Sequence, residues 1–312
     1  MRAFVFPGQG SQKVGMGSDL AQASATARAV FEEVDDALSQ NLSTIMRGGP
    51  EEELTLTANA QPAIMANAMA TLRVLENDFG VSLAENGHCV AGHSLGEYTA
   101  LCAVGSFSLS DTARLLKLRG TAMQAAVPVG VGAMCALLGA DVDKAQALAA
   151  AAAQGDVCEV ANDNDPTQVV LSGHTAAIER AVAMVKEHGI KRGIPLPVSA
   201  PFHCSLMQPA ADAMAEALAE TSPETMSLPI YANVTASRVD DPAQEQGLLV
   251  DQVTGRVRWR ESVLAMRADG VENFIELGGK VLGPMIGRID RDAQTNSIIT
   301  MEDIETIAKE IG

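Results

Sequence analysis

Residues 89–103 read Cys-Val-Ala-Gly-His-Ser-Leu-Gly-Glu-Tyr-Thr-Ala-Leu-Cys-Ala, and this stretch decides the fold class. Cys89-Val90-Ala91 is a short apolar run that predicts the end of a buried strand, and the residues from Glu97 onward contain few breakers and predict a helix. Between them stands the G-x-S-x-G pentapeptide Gly92-His93-Ser94-Leu95-Gly96. Strand, sharp turn and helix in that order present a serine hydroxyl at the tip of the turn. The glycines allow the turn and keep side chains away from Ser94 Oγ, while the helix N-terminus aims free N–H groups at the same point. Taken alone, the pentapeptide also fits a Gly/Ser turn with no chemistry.

The chain has 312 residues, of which 47% are hydrophobic, enough to bury a large core. Met1 to Phe6 predicts a first strand, and residues 1–125 alternate short apolar runs with helical patterns, as α/β chains do. Helices are expected at 27–38, 61–79 and 109–126, the last capped by Ser110 or Asp111. Val127-Pro128-Val129-Gly130 reads as a hinge and Pro195-Leu196-Pro197 as its return. Between them the pattern is strand 132–139, an Ala-rich helix 141–154, strands 157–161 and 168–172, helix 176–188 and strand 190–196. Asn162-Asp163-Asn164-Asp165-Pro166 reads as the turn between the middle strands. The order β-α-β-β-α-β is ferredoxin-like. A helix at 206–221 and strands at 229–234 and 273–278 return the chain to α/β character. The expected architecture is therefore α/β: a hydrolase-like large domain with a parallel sheet, residues 1–127 and 198–312, interrupted by an inserted ferredoxin-like small subdomain, 128–197.

Composition removes several function classes. No apolar run approaches the roughly 18 residues of a membrane span, and the N-terminus lacks the pattern of a signal peptide. The five cysteines are scattered, with no C-x-x-C pair, which suits a reducing cytoplasm and argues against structural zinc. A formal net charge of −17 argues against nonspecific nucleic-acid binding. The opening Phe6-Pro7-Gly8-Gln9-Gly10-Ser11-Gln12 follows a strand but has neither phosphate-loop nor dinucleotide spacing. It can instead offer backbone N–H groups to an oxyanion.

A serine nucleophile needs a base, an oxyanion hole and a positioning group. Of the five histidines, His93 adjoins Ser94, but neighbouring side chains on a turn diverge. His88, His174 and His188 fall at element ends and read as surface or cap residues. His203 lies between Phe202 and Cys204 in a loop before a helix, and reads either as the base or as a helix cap. Arg119, in Leu118-Arg119-Gly120, is either a solvated face residue or a bidentate clamp for a carboxylate. Cys204 reads as a packing residue.

Seven stretches together resemble one family, the malonyl-CoA:acyl-carrier-protein transacylases of dissociated fatty-acid synthesis. They are FPGQGSQ (6–12), GHSLGEY (92–98), LRG (118–120), GAM (132–134), APFHC (200–204), QVTGRVRW (252–259) and FIELGGKVL (274–282), in the family's order over nearly the whole chain. The resemblance implies a two-domain acyltransferase fold and ping-pong transfer of malonyl from malonyl-CoA to the phosphopantetheine thiol of holo acyl carrier protein. It implies Ser94 as nucleophile, His203 as general base, Arg119 as malonyl carboxylate clamp and the N–H groups of Gln9 and Leu95 as oxyanion hole. Gln252 resembles the residue whose carbonyl orients the histidine, a role a neutral carboxamide carbonyl can fill without repelling the malonyl carboxylate. Asn162 resembles an active-site asparagine, though a turn-forming residue fits as well, and His93 has a supporting place. Phe202 stands where malonyl-selective modular relatives carry phenylalanine. The implied protein is a cytoplasmic monomer with no metal, no cofactor and neither membrane nor nucleic acid as partner.

Both implied substrates are anionic and so is the chain. A local basic patch is therefore expected at the cleft between the subdomains, drawn from Lys191 and Arg192, from Arg256, Arg258 and Arg260, or from Lys280 with Arg288. Alternatives remain at this point: a serine esterase or thioesterase, a non-catalytic carrier-docking protein, or a stand-alone acyltransferase serving a polyketide synthase.

Overall fold

Two sheets of opposite character divide the polypeptide in the computed structural model, which describes residues 1–198 and 200–312. The strands are β1 (Arg2–Phe6), β2 (Cys89–Gly92), β3 (Gly132–Leu138), β4 (Cys158–Asp165), β5 (Gln168–His174), β6 (Arg192–Pro195), β7 (Ile230–Ala232), β8 (Ser237–Val239), β9 (Asn273–Leu277) and β10 (Gln294–Ile298). The larger sheet has the order β10-β9-β1-β2-β7-β8. It is parallel except for the β7–β8 hairpin at its edge. Strand β1 is central and buried on both faces, as parallel strands covered by helices must be. Phe4 and Phe6 face one layer, with Ile64 and Leu101, while Ala3 and Val5 face the other, with Trp259 and Val263.

The smaller sheet is antiparallel, in the order β4-β5-β3-β6, and takes all its strands from residues 132–195. With helices Val142–Ala153 and Thr175–Met184 this is the ferredoxin-like arrangement. Alternation along β3 explains how it docks. Cys135 and Leu137 pack against those two helices, whereas Met134 and Ala136 join the core of the large unit.

Several local expectations are corrected. Asn162 to Asp165 form the last residues of β4 and not a turn. The pairing with β5 shifts register after Val160 and after Asp163, so the strand absorbs turn-forming residues as bulges and the connection shrinks to Pro166-Thr167. The helix Leu109–Ala125 is capped by Ser108, whose Oγ accepts from Asp111 N at 3.0 Å, and not by Ser110 or Asp111. The helix expected from residue 61 runs over Thr57–Asn77 with Pro62 inside it, because burial on nearly all sides outweighs the local penalty. The helix expected at 176–188 ends at Met184, and the one expected from 206 is Gln208–Ala219 behind a 3₁₀ turn.

The crossing of β2 under helix Leu95–Ala103 leaves no room for side chains. A Cβ on Gly92 would lie 1.9 Å from the Gly96 carbonyl, and one on Gly96 would lie 2.2 Å from Phe6 O. Backbone meets backbone here, so nothing can rotate away. Gly96→Ala is expected to lower unfolding free energy by about 3 kcal/mol, measured by urea denaturation followed by circular dichroism. An unchanged midpoint would contradict the packing described.

Candidate active site

Ser94 occupies the tip of the elbow at φ 55°, ψ −112°, a conformation that side-chain-bearing residues avoid. Its backbone is held from both sides: N donates to Asn233 Oδ1 at 2.8 Å, and O accepts from Gln252 Nε2 at 3.0 Å. Asn233 itself is anchored, its Nδ2 donating to Gly92 O at 2.7 Å and its N to Glu97 Oε2 at 2.9 Å.

His203 meets the hydroxyl, with Nε2 2.8 Å from Ser94 Oγ. Its Nδ1 lies 2.9 Å from the backbone carbonyl of Gln252. A carbonyl only accepts, so Nδ1 carries the proton and Nε2 presents a lone pair to the serine. Gln252 lies in the last turn of helix Pro242–Thr254, where carbonyls lack intrahelical partners, so this oxygen is free for the task. The expectation that a carboxamide orients the imidazole is thus corrected: the backbone does so, and the side chain serves elsewhere. Burial, and after it the positive charge of Arg119, pushes the His203 pKa down to about 3.

Arg119 is 1% exposed, far from the solvated face position. Nη1 donates to Gln61 Oε1 at 2.8 Å, and Nη2 to Gln252 Oε1 at 2.8 Å and to Ser94 Oγ at 3.1 Å. All these acceptors are neutral, and Nε has no acceptor among the described residues. The guanidinium also stands 5.5 Å over the Tyr98 ring. Burial lowers its pKa, as expected of a cation without an ion-paired carboxylate.

These groups share a cleft of about 350 Å³ between the two sheets. The large unit contributes Gln9, Gln61, Ser94, Leu95, Arg119, Leu282 and Met285, and the small sheet Met134, Ala136, Asn162, Asn164, Gln168 and Val170. The backbone N–H groups of Gln9 and Leu95 have no acceptor among the described residues. His93 turns away from Ser94 and rests against Trp259, with Nε2 2.9 Å from Asn164 Oδ1 and 3.5 Å from Asn162 Nδ2. Asn162 Oδ1 is buried with no partner among the described residues. Phe202 lines the cleft, while Cys204 is buried with Sγ 3.1 Å from Pro201 O and its thiol pushed up to about 11 by burial. His174 is occupied by Val157 N at 2.9 Å.

Sequence reasoning missed Gln61, Asn164, Asn233 and the buried Glu97–Glu245 pair. Glu97 offered a signal, being a carboxylate in an otherwise apolar helix. The others come together only through long-range folding. Much of the expected basic patch is spent internally: Arg256 and Arg258 both pair with Glu261, Arg260 with Asp163 and Arg288 with Asp165. Lys191, Arg192 and Lys280 form no ion pair among the described residues. The described residues contain no cluster of three or more His, Cys, Asp or Glu able to hold a metal, and no helix long and apolar enough to cross a membrane.

Residues 3–280 match the family model described as the acyl transferase domain. The chain is 40% identical over 305 residues to a malonyl CoA-acyl carrier protein transacylase of Bacillus subtilis, covering 97% of this chain and 95% of that one. It is 43% identical over 288 residues to that of Escherichia coli, covering 92% of each. Among solved structures, an acyl-carrier-protein-S-malonyltransferase from Bartonella henselae superposes with a TM-score of 0.97 at 50% identity, over 100% of this chain and 99% of that one. A malonyl-transacylase in complex with a type II PKS acyl-carrier protein superposes at 0.95 with 37% identity, over 99% of each.

The depressed His203 pKa has a kinetic sign. The base form persists down to about pH 3, so protonation does not remove it in the neutral range. Phosphonylation of Ser94 by a fluorophosphonate is expected to be pH-independent between about pH 5 and 8, followed by stopped reaction and mass spectrometry. An inflection near the ordinary imidazole value of about 6.5 would contradict the burial argument.

Proposed function

The chain belongs to the acyl transferase family and is an acyltransferase, and from that premise we propose that it carries malonyl from malonyl-CoA to holo acyl carrier protein through a malonyl-Ser94 ester. One observation carries the choice of acyl group. Arg119 is a buried guanidinium whose hydrogen-bond partners among the described residues are all neutral and whose Nε has none there, 3.1 Å from the proposed nucleophile. A carboxylate at the far end of the acyl chain offers this guanidinium the charged, bidentate partner that its described neighbours do not.

The steps follow from the geometry. His203 Nε2 takes the Ser94 Oγ proton as oxygen attacks the thioester carbonyl. The tetrahedral oxyanion is received by the N–H groups of Gln9 and Leu95. Collapse breaks the C–S bond, and the departing CoA sulfur takes the proton from the imidazolium. The phosphopantetheine thiol then attacks the ester, giving its proton to His203, and Ser94 recovers it on release. The Gln252 carbonyl stabilises the imidazolium without placing a second carboxylate beside the malonyl anion.

The relatives named as transacylases of this type support fatty-acid synthesis as the pathway supplied. The structural neighbour complexed with a type II PKS acyl-carrier protein supports a carrier protein as the acyl acceptor. Lys191, Arg192 and Lys280, which form no ion pair among the described residues, are the candidates for meeting the anionic substrates, acting within a Debye length of about 8–10 Å against the net charge of −17. The discontinuous large domain and the 128–197 insert are two lobes of one monomeric catalytic unit. The buried free thiols favour a reducing, cytoplasmic setting.

Arg119→Ala is expected to reduce kcat/KM for malonyl-CoA by about 2–4 kcal/mol, roughly 30- to 1,000-fold, with far less effect on acetyl-CoA. Equal losses for both thioesters would contradict a carboxylate clamp.

A further inference from the structure

Strand β4 carries Asn162-Asp163-Asn164-Asp165, and successive residues point to opposite sides. The asparagines face the cleft and His93. The aspartates face the other way, and their side chains are 1% and 0% exposed. Each meets one arginine from the large unit. Arg260, on helix Trp259–Ala268, brackets Asp163, with Nε 3.0 Å from both carboxylate oxygens and Nη2 2.8 Å from Oδ2. Arg288, on helix Leu282–Ile289, places Nε 2.7 Å from Asp165 Oδ2. The second oxygen of Asp165 accepts from Thr167 N and Oγ1, both at 2.8 Å, so this residue also ties down the hairpin turn. Between the pins the backbone itself is stitched: Asp163 N donates to Val257 O at 2.9 Å, and Val257 N to Ala161 O at 2.8 Å.

A buried carboxylate has no alternative partner, so losing its arginine leaves an uncompensated charge. A guanidinium that grips both oxygens also fixes direction, which a point charge does not. Arg260 grips Asp163 in this way and Arg288 adds a single contact to Asp165 from a second helix, and together they leave the small sheet one seat against the large unit. That seat sets the cleft. Met134, Ala136 and Val170 move with the small sheet, whereas Ser94, Arg119 and Met285 belong to the large unit. Met285 lies one helical turn before Arg288, so one short helix carries both a cleft wall and a pin.

Resting on the transacylase reading above, we propose that Asp163–Arg260 and Asp165–Arg288 are positioning pairs that fix the width of the acyl cleft, and so its discrimination against branched acyl groups. The pairs touch no substrate. They act by holding the small sheet's apolar wall at a set distance from the carboxylate clamp, leaving room for an unbranched malonyl chain and not for an added methyl.

The test compares malonyl-CoA with methylmalonyl-CoA in the wild type, in the Asp163→Asn/Asp165→Asn double variant and in Arg260→Lys. Thermal melts verify that each variant folds. In a fitted pocket one methyl group is worth about 10- to 200-fold, so the malonyl/methylmalonyl ratio of kcat/KM is expected to fall about tenfold in the double variant. The malonyl loss is expected in KM, with kcat within about threefold, because the Ser94–His203 geometry lies wholly in the large unit. Arg260→Lys keeps the charge but not the two-oxygen grip, and is expected to lower the ratio at least about threefold. A ratio unchanged within about twofold in the folded variants, with both thioesters falling together, would overturn the proposal and reduce the pairs to stability. Should the double variant not fold, Arg288→Gln takes its place, removing the charge of a side chain that is 46% exposed, with the same expected fall and the same overturning result. Failure of the wild type to form any malonyl adduct would instead overturn the reading on which the proposal rests.

Discussion

Gln252 is the residue on which the site's geometry depends, because its two ends serve two different partners. Its backbone carbonyl fixes the His203 tautomer, and its carboxamide ties Arg119, the Ser94 carbonyl and Glu97 into one network. The amide is itself held in one orientation: Nε2 donates to the Glu97 carboxylate at 3.1 Å, so Oε1 must face Arg119. Behind Glu97 stands Glu245, likewise fully buried. Burial and the neighbouring Glu97 charge raise the Glu245 pKa well above the ordinary carboxylate range, and burial raises that of Glu97 as well.

That arrangement explains how one cleft accommodates a cation, a base and an anionic acyl group. A triad carboxylate beside His203 would raise the imidazole pKa and oppose a second carboxylate nearby. The carbonyl of Gln252 orients the ring while leaving it neutral, and Arg119 depresses its pKa further. Arg119 and His203, the proposed clamp and base, are thus electrostatically linked: neutralising Arg119 with a carboxylate relieves the very repulsion that disfavours imidazolium. Acyl groups bearing that carboxylate therefore assist the proton transfer as well as their own binding.

The elbow was legible because Gly92 and Gly96 answer a steric demand that only glycine satisfies, on either side of Ser94. The ferredoxin-like insert was legible from alternating periodicities bounded by proline hinges. The Asn162–Asp165 strand was not, since local turn propensity pointed the wrong way and pairing with β5 and Arg260 overrode it. The basic run at 256–260 was visible, but its commitment to Glu261 and Asp163 was not, because a side chain's partners are settled by folding. Gln61 and Asn233 escaped for the same reason: each becomes functional only where three distant segments converge.

The most direct test of the account is the intact mass of the wild type and of Ser94→Ala after brief exposure to malonyl-CoA, then to holo acyl carrier protein. The account predicts a single malonyl adduct in the wild type, none in the variant, and discharge by the carrier thiol much faster than by water. An adduct that persists in Ser94→Ala, or one that water clears as fast as the carrier does, would contradict it.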